Sequence, residues 1–237
     1  FRRDREGAFL ASRFQEHFIA DWGPNAIDEF EVHPLADPAE RVAALLSGKL
    51  NGIVGHMTVQ QLDEVRGAAG FHVVEQPTLR LVRGVLHNKR NPTANIDFRR
   101  ALAHVFDYDG LTRGLLSGTM VRNGSPLPDL IAGNSAPSRS YDFDIARARE
   151  YLARVPDPIP ELTIGAIAGQ AHAEMAAAML KRGLDELGLK SRIVAEPADA
   201  IFARSHDERQ MFDVLFMVET RLPPDPDPWI GARYNCA

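Results

Sequence analysis

Two hydrophobic periods alternate along the chain. IDEFEVHPL (27–35) alternates apolar and polar residues, the period of a half-buried strand. Asp37-Pro38 then supplies an N-cap followed by proline at the first helical position, and Val42, Leu45 and Leu46 share one helical face before Gly48. KLNGIVG (49–55) reads as a short buried strand, and Thr58 opens a second helix that Gly70 closes. FHVVEQ (71–76) and LRLVRGVLHN (79–88) read as strands. Strand–helix–strand–helix–strand predicts a parallel sheet with helices outside it.

The pattern breaks at HNKRNPTANID (87–97), where Pro92 and three asparagines mark a crossing segment. Beyond it the spacing predicts helices over 97–107 and 109–117, an irregular run over 119–141, and a capped helix over 141–155. A strand at 161–168, a helix at 172–188, a strand at 190–197, a polar helix at 198–209 and an apolar strand at 211–219 complete the series. The expected organisation is two α/β halves, residues 1–90 and 91–237, joined near 87–97. A crevice between two such halves is where a small ligand binds, with hinge closure as the associated motion.

Composition narrows the function classes. A net charge of −5 argues against nucleic acid as the main partner, since phosphate binding requires a basic face. One cysteine, Cys236, excludes an internal disulfide and fits either the cytosol or a periplasm. No apolar run approaches the roughly 18 residues of a membrane span. The eight histidines form no HxxxH or HxxEH pair, and Ser117 and Ser125 lack the GxSxG context of a nucleophile elbow. No catalytic residue, metal site or cofactor is expected. His104 is expected as a hydrogen-bonded core residue, and Asp142 and Asp144 as helix-start carboxylates.

The order of short motifs resembles the family 5 extracellular solute-binding proteins, the peptide/nickel-type receptors of bacterial ABC importers. The residues that carry the resemblance are Asn88 and Pro92 followed by Asp97, Arg99 or Arg100, Ala101, Leu102 and Asp107. LLSGTM with Pro126-Leu127-Pro128, YDFDIARAREYL, AAAMLKRGLDELGLKSRI and FDVLFMVETRLPPDPDPW follow in the family's order, with RVAALLSGKLNGIV upstream. The resemblance implies a two-lobed fold of the type II periplasmic binding protein kind, here part of lobe one and most of lobe two. It also implies a longer parent protein with an export signal upstream, a periplasmic location, no catalysis and a monomeric full-length form. Its partners would be a peptide-like or other small polar solute and the ABC permease subunits in the inner membrane. A ligand-sensing domain of a regulator with the same fold, or a small α/β enzyme, are the alternative readings.

The resemblance also points to the end of the strand beginning at Phe212-Asp213. Peptide-binding members place a Trp there and an Asp three residues later; this chain has Glu219 and Leu222. Glu219 either pairs a cationic ligand group or points to solvent. Arg221 suits a ligand carboxylate, and Trp229 and Tyr234 suit a cleft wall, with a core role as the alternative for Trp229. His87 and Asn88 either face the cleft or act as hinge.

Overall fold

The computed structural model describes residues 2–3, 7–18, 23–35, 37–54, 57–117, 119–131, 134, 141–156, 158–220 and 225–234. They divide into two compact units, Phe1–Val73 and Val74–Ala237.

In the first unit, β1 (Arg2–Arg3), β2 (Phe9–Ser12) and β3 (Glu29–Val32) form an antiparallel sheet in that order. Register pairs Phe9 with Val32 and Ser12 with Glu29. Two helices follow, α1 (Pro38–Leu46) and α2 (Val59–Gly67). Their starts are fixed locally. Asp37 accepts the Ala39 N–H, and Thr58 and Gln61 form a reciprocal capping box. Gly48 follows α1 with φ +75°, a conformation that costs glycine nothing. Val42, Leu45 and Val65 make the small core of this unit.

This unit differs from the expected parallel sheet. Residues 49–54 and 71–76 are not strands, because no partner strand lies beside them among the described residues. An apolar run becomes a strand only when a neighbour takes its backbone hydrogen bonds. β3 is shorter than expected and exposed along its length.

The second unit is a four-stranded mixed sheet. Its elements are β4 (Arg80–Leu86), α3 (Ile96–Val105), a π-helical turn (Gly110–Leu115), α4 (Ile145–Leu152), β5 (Leu162–Ile167), α5 (Ala171–Glu186), β6 (Ser191–Glu196), α6 (Ala198–Arg204), β7 (Val214–Thr220) and α7 (Asp227–Tyr234). Strand order is β4-β7-β5-β6; β5 runs parallel to β6 and β7, and β4 is antiparallel to β7. The expected joint at 87–97, with the first half ending at 90, does not coincide with the division at Val73/Val74. β4 pairs with β7 from Arg80↔Thr220 to Leu86↔Val214, and that full-length ladder ties it to the second unit.

The two sheet faces have separate cores. Ile164, Ala166, Val214 and Phe216 point to one face and pack against α3, α4 and α5 through Phe98, Leu102, Val105, Ala148, Leu180 and Leu184. Each fully buried Leu or Phe contributes about 2 kcal/mol of burial free energy. Gly183 allows α5 to reach α3, since a Cβ there would stand 2.4 Å from the Val105 carbonyl oxygen. The opposite face is covered by Ile201 of α6 against Ile167, Leu215 and Met217, and by Trp229 of α7 with Leu127 and Ile131 against Leu79 and Leu81.

The remaining helix expectations hold with shifted ends. Asn95 caps α3, accepting the Asp97 and Phe98 N–H groups. Asp144 caps α4, Asp142 pairs with Arg122, and the buried His104 donates through Nδ1 to the Asp142 carbonyl at 2.9 Å.

Candidate functional site

The parallel strands define two unlike edges of the second unit. β5 and β6 end level at Ile167 and Glu196, β7 runs past them to Thr220 on the same side, and antiparallel β4 starts there at Arg80. From β5 the chain passes through α5 outward to β6, then returns through α6 on the other face, past β5, to β7. The carboxyl ends of β5 and β7 are therefore a topological switch point, the place where open α/β sheets bind ligands. The two strands part there: their pairing ends at Ala166↔Phe216, and the Val218 N–H instead donates to Gln170 Oε1 at 2.7 Å.

Glu219 lies at this carboxyl edge, directly opposite Leu81 on β4. It is 5% exposed and forms an ion pair with Arg83, Nε to Oε2, at 3.1 Å. Arg83 and Glu219 are diagonal neighbours on the same sheet face, the face away from α5, within reach of a long side chain. The Arg83 Nη2 donates to the Pro126 carbonyl at 2.8 Å, and its guanidinium stands 5.4 Å from the centre of the Trp229 ring. One arginine thus joins β4, β7, the Pro126 loop and α7.

Trp229 is wholly buried in the cluster with Leu127 and Ile131, so its side chain is core in this unit. Its Nε1 has no hydrogen-bond partner among the described residues, and neither has the buried Oδ1 of Asn123. Asn123 Nδ2 donates to the Ser125 and Leu127 carbonyls, holding the loop on which Trp229 packs. Asp225 accepts the Asp227 N–H at the start of α7. His172, in the first turn of α5, is held below the ordinary imidazole pKa by burial and secondarily by the Arg80 charge.

His87 and Asn88 lie at the other edge, the full length of β4 away, about 20 Å. His87 donates its N–H to the Asp213 carbonyl, its Nδ1 accepts from Lys89 N–H, and Asn88 is exposed. Here the buried Asp213 carboxylate accepts from Thr163 N–H at 2.7 Å, Thr163 Oγ1 at 2.8 Å and Arg90 Nη2 at 3.2 Å. Glu219 and Trp229 are thus brought together, while His87 and Asn88 are not with them. Arg221 lies outside the described residues, as does the side chain of Tyr234, the last residue of α7.

Sequence reasoning missed Arg83, Gln170 and Asn123. The signal for Arg83 was present: unlike Arg80 at the strand start, it sits in the middle of the apolar run LRLVRGVL and requires a partner when the strand is paired on a covered face. No comparable signal marks Gln170 or Asn123. Among the described residues, no group of three or more His, Cys, Asp or Glu is placed to hold a metal ion.

The switch-point sheet and the ordered motifs define a solute-binding class of fold. The model of the bacterial extracellular solute-binding proteins, family 5 Middle, matches residues 13–237, and the chain belongs to that family. It is 27% identical over 200 residues to the probable D,D-dipeptide-binding periplasmic protein DdpA of Escherichia coli (strain K12), covering 84% of this chain and 38% of DdpA. The fold is similar to that of the ABC transporter-associated periplasmic binding protein DppA from Helicobacter pylori in complex with peptide STSA. That match has a TM-score of 0.81 at 18% identity, over 97% of this chain and 44% of DppA. NikA from Brucella suis in complex with Fe(III)-EDTA gives 0.77 at 22% identity, over 90% of this chain and 46% of NikA. The chain therefore spans less than half the length of these relatives. The likeness agrees with the expected α/β, type II periplasmic binding protein-like fold.

Proposed function

We propose that this chain is part of the substrate-binding component of a bacterial ABC importer, acting in the periplasm. It captures a peptide-like or other small polar solute, without catalysis, for delivery to the permease subunits of the inner membrane. The observation that carries this reading is the family match across residues 13–237. The name of DdpA and the peptide bound to the Helicobacter pylori DppA favour a peptide-like solute. The Fe(III)-EDTA bound to Brucella suis NikA marks how widely ligands vary on this fold, so the ligand class rests on this chain's own residues.

The carboxyl edge of the second unit is the proposed solute wall. Glu219, Trp229 and Arg83 shape it from beneath, and Arg221 and Tyr234, from the segment that leaves β7, are its proposed polar contacts. His87 and Asn88 have a supporting role at the far edge in this reading.

The test is thermal unfolding of the chain against di- and oligopeptides, amines, sugars and nickel. A solute that binds only the folded state raises the midpoint with concentration, by about 2.7 kcal/mol of stability at a hundred times its Kd. A concentration-dependent rise with any of these solutes is expected. A well-folded chain whose midpoint responds to none of them would overturn the reading.

A further inference from the structure

We propose that Arg83 sets the charge selectivity of the carboxyl edge. By neutralising Glu219, it makes the solute group that meets this corner one without net charge, such as an amide or hydroxyl, rather than an ammonium. The inference rests on the solute-binding reading above.

Three observations carry it. First, both partners are withdrawn from water: the side chains of Arg83 and Glu219 are 11% and 5% exposed. At low local dielectric their attraction is strong, and separating them leaves a buried charge uncompensated. Second, Arg83 is anchored independently of Glu219, by its bond to the Pro126 carbonyl and by the Trp229 ring beside its guanidinium. A ligand ammonium would compete with a cation that is already in place and already oriented. Third, the other carboxylate that ends a parallel strand at this edge is treated alike. Glu196, at the end of β6, receives Nε and Nη2 of Arg204 at 2.6 and 2.5 Å. The sheet therefore presents its two terminal glutamates as neutral pairs.

The corner thus carries a dipole rather than a net charge. It can hydrogen-bond an uncharged polar group without desolvating a second full charge, whereas an ammonium placed beside Arg83 would meet a like charge.

The test compares two probes, alanyl-phenylalanine and N-acetyl-alanyl-phenylalanine, on the 237-residue chain by calorimetry, with the variants Arg83→Ala and Glu219→Gln. The intact chain is expected to show no preference for the free amine beyond about threefold. Arg83→Ala exposes the carboxylate in a space the size of the lost guanidinium and should move the ratio toward the free amine by about tenfold or more, the effect of about 1.4 kcal/mol. Glu219→Gln leaves the Arg83 charge uncompensated and should move the ratio against the free amine. A preference of about tenfold for the free amine in the intact chain, abolished in Glu219→Gln, overturns the proposal. So does a folded Arg83→Ala that gains no such preference, including one that binds neither probe. If Arg83→Ala does not fold, the intact chain and Glu219→Gln decide: an intact chain without free-amine preference whose ratio moves against the free amine in Glu219→Gln supports the proposal, and an unchanged ratio or the loss of a free-amine preference overturns it. Failure of the importer reading is seen separately, as a folded chain that no solute of the wider panel stabilises.

Discussion

The two edges of the β4-β7-β5-β6 sheet each hold a buried carboxylate facing an arginine, yet they are built differently. At the amino edge, Asp213 takes one backbone N–H, one hydroxyl and Arg90, and its own N–H and carbonyl are bonded to Thr163 and His87. Arg90 also donates to the Glu208, Arg209 and Met211 carbonyls. The starts of β5 and β7 are tied to each other there, while the buried Ser191 Oγ at the start of β6 has no hydrogen-bond partner among the described residues. At the carboxyl edge, Glu219 meets a side chain from the neighbouring strand, the β5–β7 ladder gives way to Gln170, and the polar atoms Trp229 Nε1 and Asn123 Oδ1 have no partner among the described residues. The saturated network around Asp213 fixes the fold, while polar groups left without partners at a switch point keep bonding capacity for something else. The difference separates a structural edge from the proposed solute wall within one sheet.

That contrast is open to direct attack. Asp213→Ala should have the largest effect, about 3 kcal/mol of lost stability in urea unfolding, since it strands Arg90 and two Thr163 donors together. Solute selectivity of the folded fraction should not change; a changed selectivity would erase the distinction between the edges. Gly183→Ala should cost about 2 kcal/mol, because its Cβ would press on the Val105 backbone rather than on a movable side-chain end. It acts from beneath the α5 face, so it should lower the unfolding midpoint and leave both edges alone. Thr58→Ala removes one half of the capping box in the first unit and should cost about 1 kcal/mol, read as faster amide exchange in α2 only.

The smallest effect expected is a pH slope from the carboxyl edge. The folded pKa of His172 is lowered, so below the ordinary imidazole value of about 6.5 the unfolded chain binds more protons than the folded one. The stability this residue confers is present above that value and is lost as pH falls through the folded pKa. His172→Gln should therefore show a shallower loss of urea midpoint between neutral and mildly acidic pH than the parent chain. Equal slopes would remove His172 from the set of groups that burial shapes at this edge.

What the sequence determined by itself is what depends on near neighbours. The helices from Pro38, Val59, Ile145 and Ala171 were legible because capping and 3.6-residue periodicity act within a few residues. The strands β5, β6 and β7 were legible because they are apolar runs bounded by turns. Motif order was enough to indicate the family.

Tertiary structure decided the rest, because each remaining feature needs a partner far along the chain. KLNGIV and FHVVEQ have strand-like composition, but among the described residues no strand lies beside them to take their hydrogen bonds. β4 was legible as a strand, yet its antiparallel place beside β7, and so the place of the division between the units, came from a ladder spanning residues 80 to 220. Glu219 read equally well as a ligand partner or a solvent-facing residue; burial excludes the second, and Arg83, whose strand is antiparallel and in register with β7, pairs with it. Trp229 became core because the Pro126 loop folds onto the same face of β4. Charge and period can be read one residue at a time. Pairing and burial are properties of two segments at once, and only the folded chain brings those segments together.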